Sequence, residues 1–138
     1  MLKIGLIGYG KAGQAVANVL RDEPDLTLSW IARGTTRGAI GNGAGSTPVI
    51  GLDQIKLGDW LDAHPVDALV DFSGPTAVRA YGEEVRRRGL ILVSVISAYS
   101  DLDSDYLRSL GANARVMGSP NITLGINFLI LAAKLLRE

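Results

Sequence analysis

Ile4-Gly5-Leu6-Ile7-Gly8-Tyr9-Gly10-Lys11-Ala12-Gly13-Gln14-Ala15-Val16-Ala17 decides the fold of this chain. A short apolar run feeds directly into G-x-G-x-x-G and then into an alanine- and valine-rich helical pattern. That is the strand, turn and helix context in which a glycine loop can hold a dinucleotide. Gly8 permits the tight turn out of the strand, Gly10 lets a pyrophosphate approach the backbone, and Gly13 lets the helix pack close to the sheet. The first N–H groups of the helix then face the phosphates, and the helix dipole favours their charge.

Working outward, strands and helices alternate. Lys3 to Ile7 reads as a strand and Ala12 to Arg21 as a helix ended ahead of Pro24. Leu26 to Ala32 is a second strand, Gly34 to Gly45 a glycine-rich loop, and Thr47 to Ile50 a short third strand. A short helix around Trp60 and Leu61 ends near His64-Pro65. Asp67 to Phe72 is a buried strand, and Thr76 to Arg88 a helix between Pro75 and Gly89. Leu90 to Val95, Leu102 to Leu110, Ala114 to Met117 and Thr123 to Arg137 continue as strand, helix, strand and helix. Near-continuous apolar strands between helices predict a parallel sheet covered on both faces. Right-handed crossovers make it a doubly wound, Rossmann-like α/β domain of about six strands. Ligands of such sheets bind outside the carboxyl ends of the strands.

The 138 residues suit one domain over 1–138, and 47% are apolar, enough for a sizeable core. Fourteen basic residues balance fourteen acidic ones, so no bulk charge draws the chain to nucleic acid or to an anionic membrane. Cysteine is absent, which excludes disulfides and thiol chemistry and fits a cytoplasmic location. Met1-Leu2-Lys3 leads into a strand rather than a signal peptide, and no apolar stretch reaches the roughly 18 residues of a membrane span.

The end of the second strand bears on the cofactor. Many NAD-binding domains carry an acid there for the ribose 2′-hydroxyl. Here the sequence is Ile31-Ala32-Arg33-Gly34-Thr35-Thr36-Arg37, with no acid. Two arginines suit a 2′-phosphate, which a guanidinium grips bidentately. NADPH is therefore expected over NADH.

Two further segments carry a family resemblance. Val70-Asp71-Phe72-Ser73-Gly74-Pro75-Thr76 follows the fourth strand. Gly118-Ser119-Pro120-Asn121-Ile122-Thr123-Leu124-Gly125-Ile126-Asn127 follows the sixth and opens the last helix. With the glycine loop, these resemble the N-terminal domain of dihydrodipicolinate reductase (4-hydroxy-tetrahydrodipicolinate reductase), whose patterns are D-F-[ST]-x-P and N-[FY]-S-x-G-x-N. The resemblance implies an oxidoreductase of the lysine and diaminopimelate pathway that passes a hydride from NADPH to a cyclic unsaturated amino-acid precursor. Gly8, Tyr9, Gly10, Lys11, Ala12 and Gly13 would meet the pyrophosphate, and Arg33 and Arg37 the adenosine ribose or its phosphate. Phe72, Ser73 and Gly74 would lie along the nicotinamide half, with Ser97, Ser119, Pro120 and Asn121 near the nicotinamide. Read without the family, Ser73, Asn121 and Thr123 are also helix-capping residues.

The chain departs from the family after the fifth strand. The family has G-T-T-G-[FY], and this chain has Val95-Ile96-Ser97-Ala98-Tyr99. Val95 puts bulk where a backbone would approach a ligand. The family's catalytic histidines and lysine lie in a second, catalytic and tetramerising domain beyond the position of Glu138. The resemblance thus implies the dinucleotide-binding domain alone, and no catalytic residue is assigned. His64, the sole histidine, falls at the amino end of a strand, the wrong edge for catalysis. Tyr99 is the one candidate proton donor near the expected site. Asp101, Asp103 and Asp105 lack the glycine and terminal glutamate of a calcium loop and read as an acidic helix start. Arg86-Arg87-Arg88 reads as a basic helix end.

The last helix is apolar on nearly all sides and needs a partner. A homo-oligomer through Thr123 to Arg137 is expected. Two other readings stay open: an oxidoreductase acting on another imine or amino acid, supported by the altered loop at Val95, and a stand-alone nucleotide-binding or assembly module without catalysis.

Overall fold

The N-terminal apolar run becomes the middle of a sheet. In the computed structural model, which describes residues 1–35 and 45–118, β1 (Leu2–Ile7) is flanked by β2 (Leu26–Arg33) on one side and β4 (Ala68–Asp71) on the other. β3 (Val49–Gly51) pairs with β2, β5 (Ile91–Ser94) with β4, and β6 (Arg115–Gly118) with β5. All five pairings are parallel, and the order is β3-β2-β1-β4-β5-β6. This is the doubly wound arrangement, and its order reverses between β1 and β4. The helices among the described residues are α1 (Lys11–Asp22), α2 (Leu57–Ala63), α3 (Val78–Arg88) and α4 (Asp101–Leu110).

The two-residue period of the strands divides the core in two. Ile4, Leu6, Val70 and Val93 face the cluster that holds Val16, Ala17 and Leu20 of α1. Ile7, Leu69 and Leu92 face the other, with Val78, Tyr81 and Val85 of α3 and Leu107 and Leu110 of α4. Gly13, Val16, Ala17 and Leu20 follow the i, i+3, i+4, i+7 spacing of one helix face, as do Val78, Tyr81, Gly82 and Val85. Full burial of each large side chain contributes about 1.5–3 kcal/mol before conformational entropy is counted.

Most element ends fall within a residue or two of the expected ones, and the starts of α3 and α4 are set by local hydrogen bonds. α3 begins at Val78, not Thr76, because residues 74–77 form a tighter turn in which the Ala77 amide donates to the Gly74 carbonyl (3.1 Å). α4 begins at Asp101 because the Ser100 hydroxyl accepts from the Asp103 amide (3.1 Å) and donates to the Asp103 carboxylate (2.9 Å). Gly89, at φ 62°, closes α3 and returns the chain to β5. The last expected helix, over 123–137, lies outside the described residues.

Candidate functional site

The glycine loop is built on contacts that admit no side chain at two of its three glycines. Gly8 leaves β1 at φ +95°, and a Cβ there would lie 2.6 Å from the Phe72 carbonyl carbon and the Ser73 nitrogen. Its amide donates to the Ala32 carbonyl of β2 (2.8 Å), while the Phe72 amide donates to the Ile7 carbonyl (2.8 Å). The turn is thereby tied to both neighbouring strands. A Cβ on Gly13 would come 2.1 Å from the Gly8 carbonyl oxygen, so the first turn of α1 rests on the loop it leaves. Gly10 differs, since a Cβ there would meet nothing within 4 Å. The open side of the loop is at Gly10, where a ligand backbone would approach.

Gly10 is also the N-cap of α1, and no side chain caps the helix. The first backbone bond of the helix is the Gln14 amide to the Gly10 carbonyl (2.9 Å). The N–H groups of Lys11, Ala12 and Gly13 therefore precede the intrahelical ladder, the arrangement that receives an anion. Lys11 is exposed beside them. Tyr9 is only 6% exposed, and its ring packs in the α1-side cluster with Val93 and Val95, so the loop presents largely backbone at this position.

Arg33 ends β2, and its carbonyl accepts from the Leu52 amide (2.8 Å). With Tyr9, Gly10, Gly34 and Thr35 it lines a cavity of about 240 Å³. The expected phosphate loop and the expected 2′-phosphate arginine thus share one wall. Phe72 is half-buried against the α1-side cluster, and Ser73 and Gly74 follow it at the carboxyl end of β4. Ser97 is exposed beyond β5. Arg37, Ser119, Pro120 and Asn121 lie outside the described residues.

Asp71 and Tyr81 were not among the expected site residues, yet they organise this edge. Asp71 is fully buried at the end of β4. Its Oδ1 accepts from the Ser73 amide (2.8 Å) and the Ser73 hydroxyl (2.5 Å), and its Oδ2 from the Tyr81 hydroxyl (2.5 Å). Ser73 therefore ties back to Asp71, while α3 has Ala77 at its N-cap and no side-chain cap. Burial pushes the Asp71 carboxyl above its ordinary range, against the opposing pull of the Ser73 and Tyr81 hydrogen bonds. Burial likewise pushes the Tyr81 hydroxyl up, reinforced by the charge of Asp71. Tyr99 is half-buried, and its hydroxyl is hydrogen-bonded to the Ser94 hydroxyl at 2.6 Å. Burial raises its pKa too. A signal for Asp71 was present in the sequence: an aspartate ending an apolar strand buried on both faces must find donors.

Val95 does not obstruct this edge. Its side chain is buried in the α1-side core, and its amide donates to the Asp71 carbonyl (3.0 Å). His64 lies at the opposite edge, ahead of β4. Its ring stacks on Trp60 with centroids 3.8 Å apart, and its carbonyl accepts from the Trp30 indole (3.2 Å). Arg86, Arg87 and Arg88 are engaged by Glu83, Glu84 and Asp62. Among the described residues no group of three histidine or acidic side chains is placed to hold a metal, and no helix is long and apolar enough to cross a membrane.

Residues 2–122 match the family model described as dihydrodipicolinate reductase, N-terminus. A 4-hydroxy-tetrahydrodipicolinate reductase of Rhodopseudomonas palustris is 25% identical over 127 residues, which cover 91% of this chain and 47% of that protein. The chain spans about half the length of the curated relatives it matches. Among solved structures, the dipicolinate-bound dihydrodipicolinate reductase of Paenisporosarcina sp. TG-14 superimposes with a TM-score of 0.61 at 16% identity, over 88% of this chain and 48% of that one. GenD2 from gentamicin A biosynthesis, solved in complex with NAD, gives 0.63 at 20% identity, over 87% of this chain and 34% of that one. These two likenesses establish the shared fold.

Proposed function

The chain belongs to the dihydrodipicolinate reductase N-terminal family, and from that premise we propose that it binds NADP(H) across the carboxyl edge of β1 and β4. It is the dinucleotide-binding part of a reductase. The observation that carries this reading is the glycine loop: closed to side chains at Gly8 and Gly13, open at Gly10, and continuous with the cavity lined by Arg33. Lys11, Ala12 and Gly13 offer N–H groups to the pyrophosphate. Arg33 takes the 2′-phosphate, with Arg37 beside it in sequence, so NADPH is preferred over NADH. Phe72, Ser73, Gly74 and Ser97 border the nicotinamide half, with Ser119, Pro120 and Asn121.

The bound cofactor supplies hydride chemistry, and the protein supplies position. In the complete reductase the acceptor is a cyclic unsaturated amino-acid precursor of lysine and diaminopimelate. The second domain of the family contributes the proton donor and the substrate grip. Calorimetric titration of this chain with NADPH and with NADH tests the reading. Micromolar binding of NADPH, at least about tenfold tighter than NADH, is the expected result. Binding of neither would overturn it and favour an assembly module.

A second reading rests on the segment Val95-Ile96-Ser97-Ala98-Tyr99. Its departure from the family pattern favours a different imine or amino-acid acceptor for the same hydride. Turnover of the complete reductase on the dihydrodipicolinate precursor against other cyclic imines separates the two.

A further inference from the structure

Ser73 is exposed on the carboxyl edge, yet its hydroxyl proton is turned into the protein. The hydroxyl donates to Asp71 Oδ1 (2.5 Å), and the Ser73 amide donates to the same oxygen (2.8 Å). The other oxygen, Oδ2, accepts from the Tyr81 hydroxyl (2.5 Å). Asp71 and Tyr81 are both fully buried, so this anchor sits in the core and not in solvent. The same segment also touches the glycine loop. A Cβ on Gly8 would lie 2.6 Å from the Phe72 carbonyl carbon and the Ser73 nitrogen. The Phe72–Ser73 peptide thus rests on Gly8 and is tied to a buried carboxylate.

A hydroxyl has one proton and two lone pairs, and an ionised carboxylate can only accept. With its proton held by Asp71, Ser73 shows the edge lone pairs alone. Helix capping does not use them, because α3 has Ala77 at its N-cap and no side-chain cap. We infer that Asp71 and Tyr81 are positioning residues that present the Ser73 hydroxyl as a fixed hydrogen-bond acceptor to the nicotinamide riboside half of the cofactor. The donors in that half are the carboxamide N–H groups and the ribose hydroxyls, and both bring a proton to the same oxygen. The adenine amino group, the cofactor's other N–H donor, belongs to the half assigned to Arg33.

The inference rests on the dinucleotide reading above, and its test is built to fail separately from it. The full chain, Ser73→Ala, Asp71→Ala and the double variant are titrated with three ligands. NADPH carries both kinds of donor, 2′-phospho-ADP-ribose keeps the distal ribose without nicotinamide, and adenosine 2′,5′-bisphosphate lacks both. Each single variant is expected to weaken NADPH about tenfold, as for one lost hydrogen bond, and to leave the bisphosphate within about twofold. A loss shared by 2′-phospho-ADP-ribose places the acceptor on the ribose, and a loss confined to NADPH places it on the carboxamide. The double variant is expected to stay within about twofold of Asp71→Ala, because Asp71 acts through Ser73. A merely structural role would multiply the two losses, extend them to the bisphosphate or leave NADPH unchanged, and any of these overturns the inference. Asp71→Asn keeps an oxygen for Ser73 and is expected to hold NADPH within about threefold of the parent. Affinity as weak as that of Asp71→Ala would overturn it too. Should Asp71→Ala fail to fold, Asp71→Ala with Tyr81→Phe leaves no buried hydroxyl unpaired and replaces it in the cycle. Amide hydrogen exchange at Ser73 without ligand is the independent arm, expected slow in the parent and in Asp71→Asn and fast in Asp71→Ala. Fast exchange in the parent overturns the inference whatever binds. A parent that binds none of the ligands but protects the Ser73 amide refutes the dinucleotide reading and the acceptor role built on it, and keeps the anchoring of the turn by Asp71.

Discussion

The α-carbon of Gly13 sits so close over Gly8 that a methyl group on it would reach to 2.1 Å from the Gly8 carbonyl oxygen. Backbone cannot yield there as a flexible side chain would. Gly13→Ala is expected to destabilise the fold by about 2 kcal/mol or more, within the range of overpacking a tight site. Gly10→Ala meets open space at φ −76° and is expected to leave stability within about 0.5 kcal/mol. The same change should weaken NADPH about tenfold or more by crowding the phosphate approach. Urea denaturation beside calorimetry reads both. Equal loss of stability in the two variants would mean that the loop's glycines serve packing alone.

Arg33→Ala should act on one phosphate. NADPH affinity is expected to fall about tenfold or more, as for a lost charge-assisted hydrogen bond, with NADH held within about twofold. A parallel fall for both cofactors would place the arginine on the pyrophosphate or the ribose instead.

Asp71 gives the fold a pH dependence of unusual sign for an aspartate. Its folded pKa is raised by burial. Its contribution to stability is full below the unfolded value of about 4 and is lost as pH rises through the folded value. Asp71→Asn keeps an amide oxygen for Ser73 and carries no charge to bury. The stability of the variant relative to the parent is therefore expected to rise between pH 4 and the folded value, then level off. Denaturation midpoints measured from pH 4 to 8 provide the check. A relative stability that falls with rising pH would show that the hydrogen bonds outweigh burial.

Ser100→Ala removes a cap whose hydroxyl both accepts from the Asp103 amide and donates to its carboxylate. A loss of about 1 kcal/mol is expected. Asp103 retains Arg79 at 2.9 Å, so the acidic turn should keep its place. A loss near zero would mean that α4 is held by Leu107 and Leu110 without help from its first turn.

Much of the fold was legible because it rests on short-range rules. The two-residue alternation of Ile4 to Ile7 and the helical spacing from Gly13 to Leu20 each occupy one element, and both faces of the sheet follow from them. Arg33 beside the glycine loop was legible too, since the doubly wound order puts the ends of β1 and β2 side by side. The Asp71–Tyr81 contact was not. Asp71 and Tyr81 are ten positions apart, on a strand and a helix. No periodicity within one element encodes that meeting. The start of α3 was misplaced for a smaller reason: Pro75 opens a turn at 74–77 before the helix.

Both tryptophans gather around His64, at the edge of the sheet opposite Gly10. The Trp30 indole donates to the His64 carbonyl, and Trp60 stacks on its ring. The chain thus carries two intrinsic fluorophores that answer to the seam between α2 and β2. Their emission makes an optical gauge of the integrity of that seam, read without any added probe.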